Sequence, residues 1–228
     1  MSDLPRKEPV EIAAFDFDGT SISGNSPVLL VRYLWQCGLL RKSVLSRIAL
    51  WALLYKMRLP QNESWVRGLV FSAFEGTPQQ EADDFLADFY ERKISARFRE
   101  EADREINRHR AQGREVWVVS ATFEPITKQA MKYHHYTHQI STAMEIDQRG
   151  CYTRKVVGLP VEGEEKLRRI KALANELYGE DGWILTHAYG DHHSDRSMLA
   201  FAQNAFAVTP DRPLRRTAKQ KGWKILEW

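Results

Sequence analysis

A chain of 228 residues can bury a real core and is long enough for one domain with a sizeable insertion or for two small ones. Its 33 Lys and Arg against 30 Asp and Glu leave a formal charge of +3, too mild to indicate nucleic acid without a concentrated patch, and no nucleic-acid motif is present. Cys37 and Cys151 stand far apart without metal-ligand spacing, the first eight residues are polar with no apolar signal core, and the longest uncharged apolar run, residues 48–55, is too short to span a bilayer, so the expectation is a cytoplasmic protein with reduced thiols that at most touches a membrane surface.

Residues 10–17 read as a buried strand, and the strand ends in Phe15-Asp16-Phe17-Asp18-Gly19-Thr20. An apolar strand that stops at two carboxylates one residue apart places both at the mouth of a sheet, where the catalytic groups of open α/β folds collect. Two crowded negative charges raise a carboxylate pKa unless a cation neutralises them, so Asp16 and Asp18 call for a hard divalent ion with oxygen ligands, Mg²⁺. Residues 21–110 are almost wholly helical in pattern, over 27–39, 43–58 and 62–74, then a helix with Thr77 as N-cap and Pro78 at its first position that carries Ala82, Phe85, Leu86 and Phe89. This block reads as an inserted helical cap. Within it, residues 44–58 have basic ends and an apolar, Trp-containing middle, which suits a helix buried against its neighbours ahead of one lying in a membrane interface.

After the helix stop Ala111-Gln112-Gly113, residues 115–120 form a second strand ending at Ser120. The pattern then predicts a helix over 124–135, a strand over 139–142, a hairpin turning at 147–150, a helix over 163–178 and a strand over 183–189. A short helix over 195–202, a strand over 205–209, a helix over 212–221 and a closing strand over 223–226 complete it. Strands alternating with helices imply βαβ units, hence an α/β fold: a Rossmann-like core of mostly parallel sheet flanked by helices, residues 8–20 and 111–228, with an all-helical cap at 21–110.

Four groups fall in order along this plan: Asp16-Phe17-Asp18-Gly19-Thr20, Ser120, Lys166 at a helix start, and Gly190-Asp191 with Asp195. Phosphoryl transfer needs a nucleophile, a leaving-group acid, a hydroxyl donor, a cation for the developing charge and metal ligands, and these residue types match one by one. The set and its order resemble the haloacid dehalogenase superfamily of aspartate-nucleophile phosphohydrolases, over nearly the whole chain. The resemblance implies that Asp16 forms an aspartyl-phosphate and also binds Mg²⁺. It implies that Asp18 is acid then base with its carbonyl on the metal, that Ser120 and the loop around Gly19 and Ala121 bind the phosphoryl group, and that Lys166 balances charge. Asp191 would complete the metal site and Asp195 would support it from behind.

The position of the cap, with Ser120-Ala121-Thr122 and Gly163-Glu164-Glu165-Lys166, is similar to the phosphoserine-phosphatase-like subclass, subfamily IB, with a cap of the C1 type. True phosphoserine phosphatases usually carry an acidic residue where Asn25 stands, and Ser-Gly-Gly where this chain has Ser120-Ala121-Thr122. An uncharged Asn25 cannot form the ion pair that selects an amino-acid substrate. The expectation is therefore a Mg²⁺-dependent phosphomonoester hydrolase acting on a small phosphorylated metabolite. A lipid phosphate such as phosphatidylglycerophosphate at a membrane surface, phosphoserine, and transfer to an acceptor other than water stay open, and no oligomeric state is indicated. His192 and His193 read as exposed loop residues ahead of substrate contacts, and His134, His135 and His138 as a helix end with solvated imidazoles ahead of a zinc site.

Overall fold

The computed structural model describes residues 8–40, 44, 46, 47 and 70–228. Six strands form one parallel sheet in the order β3-β2-β1-β6-β7-β8. They are β1 (Val10–Phe15), β2 (Glu115–Phe123), β3 (His138–Thr142), β6 (Trp183–Gly190), β7 (Asn204–Val208) and β8 (Lys224–Leu226). A separate antiparallel hairpin pairs β4 (Met144–Ile146) with β5 (Tyr152–Val156). Among the described residues seven α-helices surround the sheet: α1 (Ser26–Gln36), α2 (Gln79–Phe89), α3 (Glu100–Ala111), α4 (Glu124–Tyr133), α5 (Glu164–Tyr178), α6 (Arg196–Phe201) and α7 (Arg212–Lys221). None of them is long and apolar enough to cross a membrane.

The sheet explains the unbroken apolar run of β1. A central parallel strand is covered on both faces, so successive side chains enter two different cores. Ala13 and Phe15 join Val118, Tyr189, Leu30 and Leu86 on one side, whereas Ile12 and Ala14 join Trp117, Ala188, Ile170 and Leu199 on the other. The chain builds outward from β1 through β2 to β3, then returns to lay β6, β7 and β8 on the opposite flank. The order reverses between β1 and β6, and the crevice beyond the strand ends at such a reversal is where open α/β sheets bind ligands. Phe15 pairs with Tyr189 in that register, so Asp16 and Asp191 leave neighbouring strands side by side.

Several local expectations need correction. Residues 21–25 and 98–99 are not helical: Ile22 bridges Phe98 in antiparallel fashion, with Ser23 N donating to Arg97 O at 2.8 Å and Arg99 N to Ser21 O at 2.9 Å. Between α2 and this ribbon run a π-helical turn, Tyr90–Ile94, and a 3₁₀ turn, Ser95–Arg97. Thr77 does not cap α2; the cap position falls on Pro78, and the first helical residue is Gln79. β2 continues past Ser120 to Phe123, so Ser120, Ala121 and Thr122 are strand residues. The helices expected over 43–58 and 62–74 lie outside the described residues, save for Val44, Ser46, Arg47 and residues 70–74. His134 is not solvated: its Nδ1 lies 2.9 Å from Asp103 Oδ1 and its ring stacks on Phe98. Asp103 comes from α3, 31 residues away, so no reading of the neighbouring sequence could have supplied that partner.

Candidate active site

The site is built where β1, β6 and the first turn of α5 meet. Asp16 N donates to Tyr189 O at 2.9 Å, which carries the β1 to β6 pairing one residue beyond the strand and fixes the Asp16 backbone. A second tether comes from Tyr136, whose hydroxyl donates to Ser21 Oγ at 2.7 Å while Ser21 Oγ donates to the Asp16 carbonyl at 2.6 Å. Lys166 rises from the first turn of α5, buried, with Nζ 2.6 Å from Asp16 Oδ1 and 2.6 Å from Asp195 Oδ1. Asp195 is completely buried, and its other oxygen accepts from His192 N at 3.1 Å.

Asp191 follows β6 and lies against the loop after Asp18. Thr20 Oγ1 donates to its Oδ1 at 3.3 Å. Gly19 sits at φ +77°, and a Cβ there would come within 2.1 Å of Asp191 Oδ2, so the position demands glycine on both counts. Asp18 is held differently. Its Oδ1 accepts from Ser26 N at 2.5 Å and its Oδ2 from Ser26 Oγ at 3.0 Å, which ties it to the start of α1. Ser120 is buried on β2, and its Oγ accepts from Thr122 N at 3.2 Å; Ala121 lies between them on the same strand.

The predicted residues thus divide. Asp16, Lys166 and Asp195 converge on one buried cluster with half-buried Asp191 at its edge, Gly19 packs against it, and Asp18 hangs beside it on Ser26. Ser120 and Ala121 occupy the neighbouring strand. Sequence reasoning gave no role to Thr20 and Thr122, though both stand in the motifs it singled out, and it passed over Ser21, Ser26 and Tyr136. Only Ser26 carried a local signal, standing before Pro27 at a helix start, and that signal speaks of capping rather than of contact with an acid.

Burial governs the electrostatics. It pushes Asp16 well above the ordinary carboxylate range, with the Lys166 charge pulling against it and the charges of Asp195 and Asp191 adding to it. Asp18 is pushed up to about 7, again first by burial and against the hydrogen bonds from Ser26. Asp191 also rises to about 7, through burial and the Asp195 charge. Lys166 goes the opposite way from the usual buried amine. Burial alone would lower it, yet the charges of Asp16 and Asp195, with their hydrogen bonds, outweigh that and raise it.

Carboxylate oxygens of Asp16, Asp191 and Asp195 lie within 4.8 Å of one another, a donor set of hard oxygens that fits a hard dication and would be relieved by one. Of the three, Asp195 has one oxygen on Lys166 and the other on the His192 amide. That leaves Asp16 and Asp191 as the side chains with capacity for an ion.

The family model for haloacid dehalogenase-like hydrolases matches residues 13–200, from the strand that carries Asp16 to the helix after Asp195. The chain belongs to that family. It is an enzyme of the phosphatase type, and several of its relatives are named phosphatases. A histidinol-phosphatase of Neisseria meningitidis is 31% identical over 128 residues, covering 54% of this chain and 56% of the relative. A phosphoserine phosphatase of Mycobacterium tuberculosis is 26% identical over 237 residues, covering 98% of this chain and 73% of the relative. Among solved structures, a protein of unknown function from Bordetella pertussis superposes with a TM-score of 0.84 at 21% identity, covering 96% of this chain and 99% of that one, a likeness of fold. Within the family frame, Asn25 serves the backbone, since its side chain accepts from Val28 N at 3.1 Å and caps α1.

Proposed function

We propose that the protein is a Mg²⁺-dependent phosphomonoester hydrolase that works through a phosphorylated Asp16 on a small phosphorylated metabolite. The observation that carries this reading is the Lys166 ammonium, 2.6 Å from the Asp16 carboxylate inside a buried group of acids. A buried acid that must attack a negatively charged phosphoryl group needs a fixed cation beside it. Lys166, kept protonated by Asp16 and Asp195, supplies one without reorganising.

Asp16 and Asp191 side chains, with the Asp18 carbonyl, would hold Mg²⁺, and the ion would supply positive charge to the phosphoryl oxygens and keep Asp16 ionised. Asp16 attacks phosphorus, and the bond to the leaving oxygen breaks with its electron pair going to that oxygen. Asp18 hands it a proton. Water then enters from the vacated side, Asp18 takes its proton, and the bond between Asp16 and phosphorus breaks to release inorganic phosphate. A carboxyl raised to about 7 holds a proton near neutral pH, as the first half of this cycle requires, and releases it for the second. Ser120 on β2 and the backbone after Asp16, where Gly19 admits close approach, are assigned to the phosphoryl oxygens.

Residues 8–20 and 111–228 serve as the catalytic core and 21–110 as a cap that excludes water and selects the substrate. The antiparallel pairing of residues 21–23 with 97–99 lies at the crossing between the two, which supports this division. The capping role of Asn25 weighs against phosphoserine, since that side chain is engaged within the helix start. The decisive experiment is Asp16→Asn assayed with a generic aryl phosphate: turnover should fall to background while the fold persists. Retained activity would refute the assigned nucleophile, and phosphorylated alcohol formed in the presence of a competing alcohol would recast the enzyme as a phosphotransferase.

A further inference from the structure

Asp18 is gripped at both oxygens by a single residue, Ser26, through its amide at 2.5 Å and its hydroxyl at 3.0 Å. The Ser26 hydroxyl is in turn 2.5 Å from Thr122 Oγ1, and both residues are buried. With the Ser26 proton directed to Asp18, the second contact needs its proton from Thr122. The chain of donation therefore runs from Thr122 to Ser26 to Asp18.

Each link restricts the next. A serine hydroxyl by itself turns among three staggered wells, whereas Thr122 is β-branched on a strand and stiff at χ1, so its hydroxyl pins the Ser26 rotamer. A carboxyl held at both oxygens loses its own rotational freedom. The two partners also come from different parts of the fold: Ser26 is the first residue of α1, and Thr122 lies on β2 of the sheet. Asp18 is consequently aimed only when α1 is seated against β2.

We propose that Ser26 and Thr122 are positioning residues that aim the Asp18 carboxyl at the leaving-group oxygen, so that they determine how well the enzyme cleaves phosphomonoesters with poor leaving groups. The inference rests on the reading of Asp18 as the leaving-group acid. A well-aimed acid matters in proportion to the basicity of the departing oxygen, because a good leaving group departs as an anion without a proton.

The test is kcat/KM of the full-chain, Mg²⁺-supplied enzyme on 2,4-dinitrophenyl, 4-nitrophenyl and phenyl phosphate, a quantity that reports events up to phosphorylation of Asp16. Thr122→Val, which keeps the shape and removes the hydroxyl, should lose about 10-fold or more on phenyl phosphate and less than about 2-fold on the dinitrophenyl ester. Thr122→Ser, which returns the hydroxyl without the stiff χ1, should restore part of the phenyl phosphate rate, and Ser26→Ala should repeat the selective loss if the valine variant does not fold. An equal loss on all three esters, or none, overturns the positioning role. Asp18→Asn separates the two levels: a loss steeply graded with leaving group upholds the acid, so a uniform response of the Thr122 variant would then sink the pair alone. A uniform loss for Asp18→Asn would sink the acid assignment and the pair with it.

Discussion

At the scale of single residues the site is an exercise in keeping buried charge affordable. Lys166 faces Asp16 and Asp195 at 2.6 Å each, and neither carboxylate has another ammonium within reach among the described residues. Removing one partner of such a pair leaves uncompensated buried charge, which costs about 3–5 kcal/mol. Lys166→Met is therefore expected to lower the melting temperature of the metal-free protein and to reduce kcat by about 10²–10³-fold, the usual loss when a preorganised charge is removed. A thermal melt and an aryl phosphate assay check the two halves separately, and an unchanged kcat would remove Lys166 from the chemistry. The types and order of the acids were legible in the sequence, because carboxylates at strand ends carry a strong local signature. The pairing of Asp195 with Lys166 was not, since the two stand 29 residues apart and the packing of α5 against α6 and the turn before it brings them together.

Among elements, β1 and α1 do most to present the acids. β1 was plain from its apolar run, yet it ends at Phe15, two residues short of the expected strand, while Asp16 and Phe17 beyond it remain buried. The start of α1 was less plain. Asn25 looked like a substitute for a substrate-gripping acid, whereas its side chain caps the helix. Loss of such a cap costs about 1 kcal/mol, so Asn25→Ala should lower stability by that amount, and Asn25→Asp, which keeps an acceptor, should not. Chemical denaturation of the two variants tests this, and equal stability of both would deny the cap its role. The strand β2 extends three residues beyond the expected end at Ser120, and that extension carries Thr122 to Ser26. Periodicity could not mark it, because Ala121, Thr122 and Phe123 show no change of pattern at a strand end.

For the whole molecule the buried acids link stability to pH and to metal. Asp18 and Asp191 rise from 3.8 to about 7 on folding without metal, so across that window the folded chain holds protons that the unfolded chain has released. The slope of unfolding free energy against pH follows protons bound by the unfolded minus the folded state, and here it is negative. The stabilising contribution is complete below 3.8 and is lost as pH rises through about 7. A dication held by Asp16 and Asp191 would favour the ionised form and offset the penalty. The melting temperature in chelator should thus fall as pH rises through this range, while the increment produced by excess Mg²⁺ grows over the same range. A Mg²⁺ increment that does not change with pH would contradict the buried-acid account.

From the chain alone came the alternation of strands and helices, the parallel sheet it implies, the two-sided burial of β1, and an order of Asp, Ser, Lys and Asp suited to phosphoryl transfer. These follow from local pattern: periodicity says which face of an element is buried, and polar residues at the end of an apolar run say where the sheet opens. Tertiary structure alone decided which partner each polar group takes. Ser26 with Thr122 spans 96 residues, Ser21 with Tyr136 spans 115, and Thr20 with Asp191 spans 171. A hydrogen bond is satisfied by whichever group the packing delivers within about 3 Å, and sequence pattern specifies faces rather than distances between them.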